Sequence, residues 1–145
     1  MAEGRWLLDT NVVSELRKAQ SGRADPAVTA WAERQATADL WLSVIVIQEI
    51  EIGVALRERS DPAQGAHLRA WLEERVLPAF EGRILPVTLE VARAGAALHV
   101  PDPKPARDGL IAATALVHGL GVATRNLRDF AGTGPRLVDP WATRP

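Results

Sequence analysis

Cysteine is absent from this chain, which excludes disulfides, thiolate zinc sites and a cysteine nucleophile. That absence fits a reducing compartment. No apolar run approaches the roughly 18–20 residues needed to span a bilayer. The opening Met-Ala-Glu-Gly-Arg-Trp lacks a charged region leading into a signal-peptide core. A soluble, cytoplasmic protein with no membrane partner is expected. An excess of positive charge is missing too: the formal net charge is −1, so no broad basic surface coats nucleic acid through phosphate contacts alone. This weighs little against an enzyme that meets a phosphate at one point. No HExxH, Walker A or GxGxxG pattern occurs. Ser14 and Ser43 have no nucleophile-elbow context. The three histidines, His67, His99 and His118, are scattered and read as structural.

What is present describes an average globular protein. The 145 residues are 47% hydrophobic and 24% charged, enough for one domain over 1–145 and too few for two. A core of this size buries roughly 68–70% of the surface that the unfolded chain exposes.

The apolar run from Arg5 to Leu8 predicts a buried strand. It ends at Asp9-Thr10-Asn11, a capping cluster that feeds a helix from about Val12 to Lys18. Pro26 suits the first turn of a helix reaching about Gln35. Leu40 to Leu42 reads as a second strand, and Ser43 can cap a helix to about Arg59 with Val46, Ile47, Ile50 and Val54 on one stripe. The β-branched run Val44 to Ile47 equally permits a longer strand. Asp61-Pro62 opens another helix, with Leu68, Trp71, Leu72 and Val76 at helical spacing. Ile84 to Val87 reads as a third strand, followed by a helix from Thr88. Pro101, Pro103 and Pro105 force an extended or turning loop. A helix then begins around Asp108 and ends at Gly119 or Gly121. Val122 to Thr124 is a fourth strand and Leu137-Val138 a possible fifth. Strands alternating with helices imply a three-layer α/β domain whose mostly parallel sheet of four to five strands is covered on both faces.

With 18 acidic residues, position matters more than presence. Asp9 follows a buried strand, at the carboxyl end where open parallel sheets place ligands. Asp108 stands at a helix start after the proline loop, and Asp129 lies just beyond the fourth strand. Each has an ordinary structural explanation as well: Asp9 and Asp108 can cap helices, and Asp129 can be a solvated turn residue in a polar loop. Glu49 is more unusual. It lies inside Val44-Ile45-Val46-Ile47-Gln48-Glu49-Ile50, and an isolated buried charge is costly unless paired or bound to a metal. Gly53, four residues on, leaves room beside it. Glu51 competes for the role or is exposed on another face.

A set of three or four carboxylates without His or Cys partners suits the hard cations Mg²⁺ or Mn²⁺. One or two such ions can orient a water in line and neutralise charge on a phosphate undergoing displacement. Asp9 is the expected central ligand, with Asp108 and Glu49; Asp129 and Asn126 can hold a second ion or its waters. The five tryptophans read as core or interface packing rather than base stacking.

The segment Leu7-Leu8-Asp9-Thr10-Asn11-Val12-Val13-Ser14-Glu15-Leu16 resembles the opening motif of PIN domains, particularly VapC- and FitB-type toxins. Leu42-Ser43-Val44 through Glu49 to Gly53 is similar to their second motif, and Asp108-Gly109-Leu110-Ile111-Ala112-Ala113 to the third. Thr124-Arg125-Asn126 to Asp129-Phe130 resembles the fourth. The four come in family order and span residues 7 to 130. The resemblance implies a PIN-like fold and a Mg²⁺- or Mn²⁺-dependent endoribonuclease of a type II toxin–antitoxin module. It implies an RNA substrate, a cognate antitoxin that blocks the site and carries any contact with operator DNA, and a homodimer. By position, Asp9, Glu49 and Asp108 match the family's principal acids, and Asp129 a fourth, more variable one that Asn126 can share. Thr10 and Asn11 match residues that support the first Asp, and Ser14 a hydroxyl one turn later. The prolines 101 to 105 match nothing in the family pattern.

Two other functions fit the same residues. One is a FitB-like partner in a DNA-binding repressor complex with little intrinsic cleavage. The other is a different metal-dependent phosphatase or nuclease on a similar sheet. The helices around Trp31 and Trp71 are the candidate dimer or antitoxin surfaces, with core packing as the competing explanation.

Overall fold

The computed structural model describes residues 4–144. Five short strands form one sheet: β1 Trp6–Leu8, β2 Leu40–Ser43, β3 Ile84–Leu85, β4 Gly121–Ala123 and β5 Leu137–Val138. Their order is β3-β2-β1-β4-β5, and every neighbouring pair is parallel. From β1 the chain steps outward through β2 to β3, then returns to the other side of β1 for β4 and β5. Parallel crossovers are almost always right-handed, so this reversal puts the connecting helices on opposite faces. The result is the expected α/β layering, and it places a topological switch point between β1 and β4.

Leu7 and Leu8 on the central strand, with Leu42 and Val122 on its neighbours' strands, are fully buried. Truncating such a leucine to alanine costs about 2–5 kcal/mol, so the strands are short but firmly placed. Eight helices flank them: α1 Thr10–Arg17, α2 Pro26–Glu33, α3 Val44–Ser60, α4 Pro62–Trp71, α5 Leu77–Ala79, α6 Leu89–Leu98, α7 Ala106–His118 and α8 Leu127–Phe130. A π-helical turn, Leu72–Val76, joins α4 to α5.

Local chemistry explains most boundaries. Ser43 accepts a hydrogen bond from the Ile45 N–H and starts α3, so the β-branched run Val44 to Ile47 is helical. Its stripe Val46, Ile50 and Val54 is buried, and the core covering that stripe outweighs the strand preference of the same residues. Pro86 brings no N–H to the ladder, and β3 stops at Leu85 rather than continuing to Val87. Thr88 caps α6 through the Val91 N–H. Gly119, in the left-handed region at φ 68°, terminates α7. Asp129 sits on the short helix α8, not in an irregular loop.

Trp31 is 4% exposed and meets Trp6 edge-on, with ring centroids 6.0 Å apart. It is a core residue, not a docking surface. Trp71 is only part buried. Glu51 belongs to neither core nor cluster: Arg69 bridges it to α4 at 2.9 Å and also holds Glu58. No helix among the described residues is long and apolar enough to cross a membrane.

Candidate functional site

Leu8 pairs with Ala123 in register across β1 and β4. The next residue on each strand, Asp9 and Thr124, is therefore brought to the carboxyl edge of the sheet, side by side at the switch point. Ligands of open α/β sheets bind in that crevice. Asp9 is 5% exposed and is the N-cap of α1, where Oδ1 accepts the Thr10 N–H at 2.8 Å. Oδ2 accepts the Thr124 hydroxyl at 2.7 Å and the Asn11 amide at 3.4 Å. Capping a helix and facing the other strand-end residues are thus two uses of one carboxylate.

The supporting residues divide the work differently from the sequence expectation. Thr10 contributes its backbone N–H to Asp9, while its hydroxyl donates to Glu49 Oε1 at 2.7 Å. Glu49, on the half-buried side of α3, presents Oε2 to Arg107 at 3.6 Å. Asn11 Oδ1 also accepts the Arg125 N–H at 3.3 Å, tying the loop after β4 to α1. The Asn126 N–H donates to the Thr124 hydroxyl oxygen at 2.9 Å. That hydroxyl therefore has its acceptor side occupied and its proton committed to Asp9. Ser14 is exposed and makes no hydrogen bond to the acids; it lines a hollow with Thr10, Glu49 and Gly53.

Asp108 stands in the first turn of α7 and Asp129 on α8. The four acids act on one another through their field. Burial pushes Asp9 up, partly offset by the hydrogen bonds from Thr124 and Thr10, and the charges of Glu49 and Asp129 push it further. Asp108 is pushed up to about 6, first by burial and then by the charges of Asp9, Asp129 and Glu49. Such mutual repulsion is what a dication relieves. The donors are all hard oxygens. Among the described residues no group of three or more Asp, Glu or His side chains is placed to hold a metal ion. Carboxylate oxygens are donors of the kind that hard divalent cations take.

Two residues escaped the sequence expectation. Thr124 opens the fourth motif but was assigned no role; its signal is its place one step beyond β4, matching Asp9 beyond β1. Arg107 precedes Asp108, and nothing in the sequence places it against Glu49 on another helix.

Comparison with known proteins agrees with this architecture. The family model described as "PIN domain" matches residues 6–134. The chain is 39% identical over 140 residues to a protein named "VapC ribonuclease Y4jK" from Sinorhizobium fredii, covering 93% of this chain and 96% of that one. It is also 39% identical over 141 residues to "Toxin FitB" from Neisseria gonorrhoeae, covering 93% and 97%. Among solved structures, the crystal structure of FitAcB from Neisseria gonorrhoeae superposes with a TM-score of 0.85 at 36% identity, covering 94% of this chain and 99% of that one. FitAB bound to IR36 DNA fragment gives 0.84 at 34% identity, covering 97% and 98%. With most of its length matched by the family model and by relatives named as VapC and FitB toxins, the chain belongs to the PIN-domain family.

Proposed function

We propose that the chain is a divalent-cation-dependent endoribonuclease, the toxin of a type II toxin–antitoxin module, hydrolysing RNA phosphodiester bonds at Asp9, Glu49, Asp108 and Asp129. One observation carries this reading: Asp9 stands buried at the sheet's switch point with Thr10 and Thr124 bonded to its two oxygens, and its charge, with those of Asp129 and Glu49, adds to burial in pushing Asp108 up to about 6. The relatives named as a VapC ribonuclease and as FitB toxin support it.

Asp9, Glu49 and Asp108 would hold Mg²⁺ or Mn²⁺, with Asp129 or Asn126 as a further ligand. Bound there, the cation would supply Lewis acidity at the phosphate and favour hydroxide over water as the nucleophile. The chain's own groups do the positioning. Thr124 and the Thr10 N–H fix both oxygens of Asp9. The Thr10 hydroxyl fixes Oε1 of Glu49, and Arg107 faces the other oxygen. The phosphate approaches from the open carboxyl edge, since the core side of Asp9 is closed by β1 and β4.

A second role is favoured by the likeness to FitAB bound to IR36 DNA fragment. In it the chain, as a homodimer, is the partner of an antitoxin that contacts operator DNA, and cleavage contributes little. The experiment that separates the two is induction of wild-type protein and of Asp9→Asn in cells without antitoxin, with new RNA 5′ ends mapped across the transcriptome. Discrete new ends with wild type alone are expected. Identical profiles at equal expression would remove the nuclease and leave the repressor partner.

A further inference from the structure

A hollow of about 320 Å³ reaches Glu49, one of the four acids. Thr10, Ser14, Arg17, Arg57 and Trp71 line it with Glu49. A second hollow, about 470 Å³, shares Arg17 and Trp71 and continues past His67 and Arg75. Trp71 therefore lines both hollows. The Arg17 guanidinium lies 6.0 Å from the Trp71 ring centroid, at the outer limit of a cation–π contact. Arg17 and Arg57 are exposed, and neither is in a salt bridge among the described residues. By contrast Arg69, on the same helix as Trp71, is bound to Glu51 and Glu58.

We propose that this hollow is a nucleotide subsite of the RNA strand: Arg17 and Arg57 take the phosphate beside the one being cut, and Trp71 carries a base. The proposal rests on the nuclease function above. Four carboxylates repel a polyanion everywhere except at a bound cation, so a strand needs cationic groups within a nucleotide of the cut. Two guanidiniums in no salt bridge among the described residues line one hollow and meet that need. Phosphate and guanidinium match in charge and in hydrogen-bond geometry, and an aromatic face accepts any base, which is how single strands are gripped without duplex readout. The volume lies at the lower end of ligand pockets, as one nucleotide requires.

The test uses adenosine 5′-monophosphate as the probe, titrated into the ¹⁵N-labelled full chain while the tryptophan indole N–H resonances are followed. The Trp71 indole signal, assigned from Trp71→Phe, is expected to move. It should move less with ribose 5-phosphate or adenosine, and little in the double variant Arg17→Gln/Arg57→Gln. No movement at Trp71, or movement that survives loss of both arginines, overturns the subsite. Trp71 also packs against the core, so Arg57→Gln on the exposed face gives a second reading that does not depend on a core change. On an RNA that the wild type cleaves, it should raise KM by about 10-fold, with a smaller change in kcat. An unaltered KM also overturns the proposal. Binding of the mononucleotide with no cleavage of any RNA would leave the subsite standing and remove the nuclease.

Discussion

The Thr124 hydroxyl donates a 2.7 Å hydrogen bond to Oδ2 of Asp9 across 115 residues of chain. Asp9 is almost fully buried, so this bond offsets part of its desolvation, and a hydrogen bond to a charged group contributes about 1.5–3 kcal/mol. Thr124→Val should lower stability by that order, read from the urea midpoint, and raise the Asp9 pKa further. If the cluster is catalytic, cleavage should fall about 10–100-fold, the usual cost of losing a ligand's orienting partner. Thr124→Ser, which keeps the hydroxyl, should recover most of both. A Val variant as stable and active as wild type would show that the bond does neither job.

Asp9→Asn should fold normally, because asparagine caps a helix as well as aspartate and its Oδ1 still accepts the Thr10 N–H. Cleavage should drop by more than the roughly 100-fold expected for a supporting residue. Circular dichroism and a cleavage assay on the same preparation separate the two effects. Retention of full activity would remove Asp9 from the mechanism.

The pH dependence of stability follows from Asp108. Its folded value, about 6, lies above the ordinary 3.8, so the folded chain binds that proton more tightly than the unfolded chain. Stability of the cation-free protein should therefore fall as pH rises between about pH 4 and 6, with the full penalty present above that range. Asp9 is raised as well and acts in the same direction. Asp108→Asn should flatten the decline in Tm. Mg²⁺ should raise Tm more at neutral pH, where the acids are ionised, than at the acid end of the window. A cation effect that is equal at both ends would break the link between the field and the metal.

Gly65 makes the close approach of α3 and α4 possible. A Cβ there would lie 2.4 Å from the Glu58 Cα, a backbone atom with no freedom to swing aside. Gly65→Ala should push the two helices apart and cost about 1–3 kcal/mol. The Arg69 bridges to Glu51 and Glu58 should loosen with it. Chemical denaturation gives the loss, and an unchanged midpoint would mean the hairpin can slide without penalty.

Features set by neighbouring residues were legible in the sequence. Ser43 caps α3, Thr88 caps α6, Gly119 ends α7, and Asp9 follows a strand; each depends on a few consecutive residues. The apolar run marked Glu49 and Glu51 alike, and only the structure separates them: Glu51 is bound to Arg69 and Glu49 to Thr10. What was hidden depends on register and on helix placement. The Asp9–Thr124 bond exists because Leu8 pairs with Ala123, and no pattern in either segment states that pairing. The Thr10 hydroxyl turns to Glu49 instead of Asp9 only because α3 lies alongside α1. The local pattern left Trp31 between a docking surface and the core, and its burial against Trp6 is decided by the distant β1.

Asp9 and Glu49 are made before Asp108, Thr124 and Asp129, and β1 gains its β4 neighbour only with the later segment. A ribosome that has released the chain as far as Pro105 has exposed two of the four acids, without the hydroxyl that holds the first. Nascent and prematurely terminated chains thus lack an assembled cluster. The four acids can therefore come together only after the segment carrying Asp108 and Asp129 has been made.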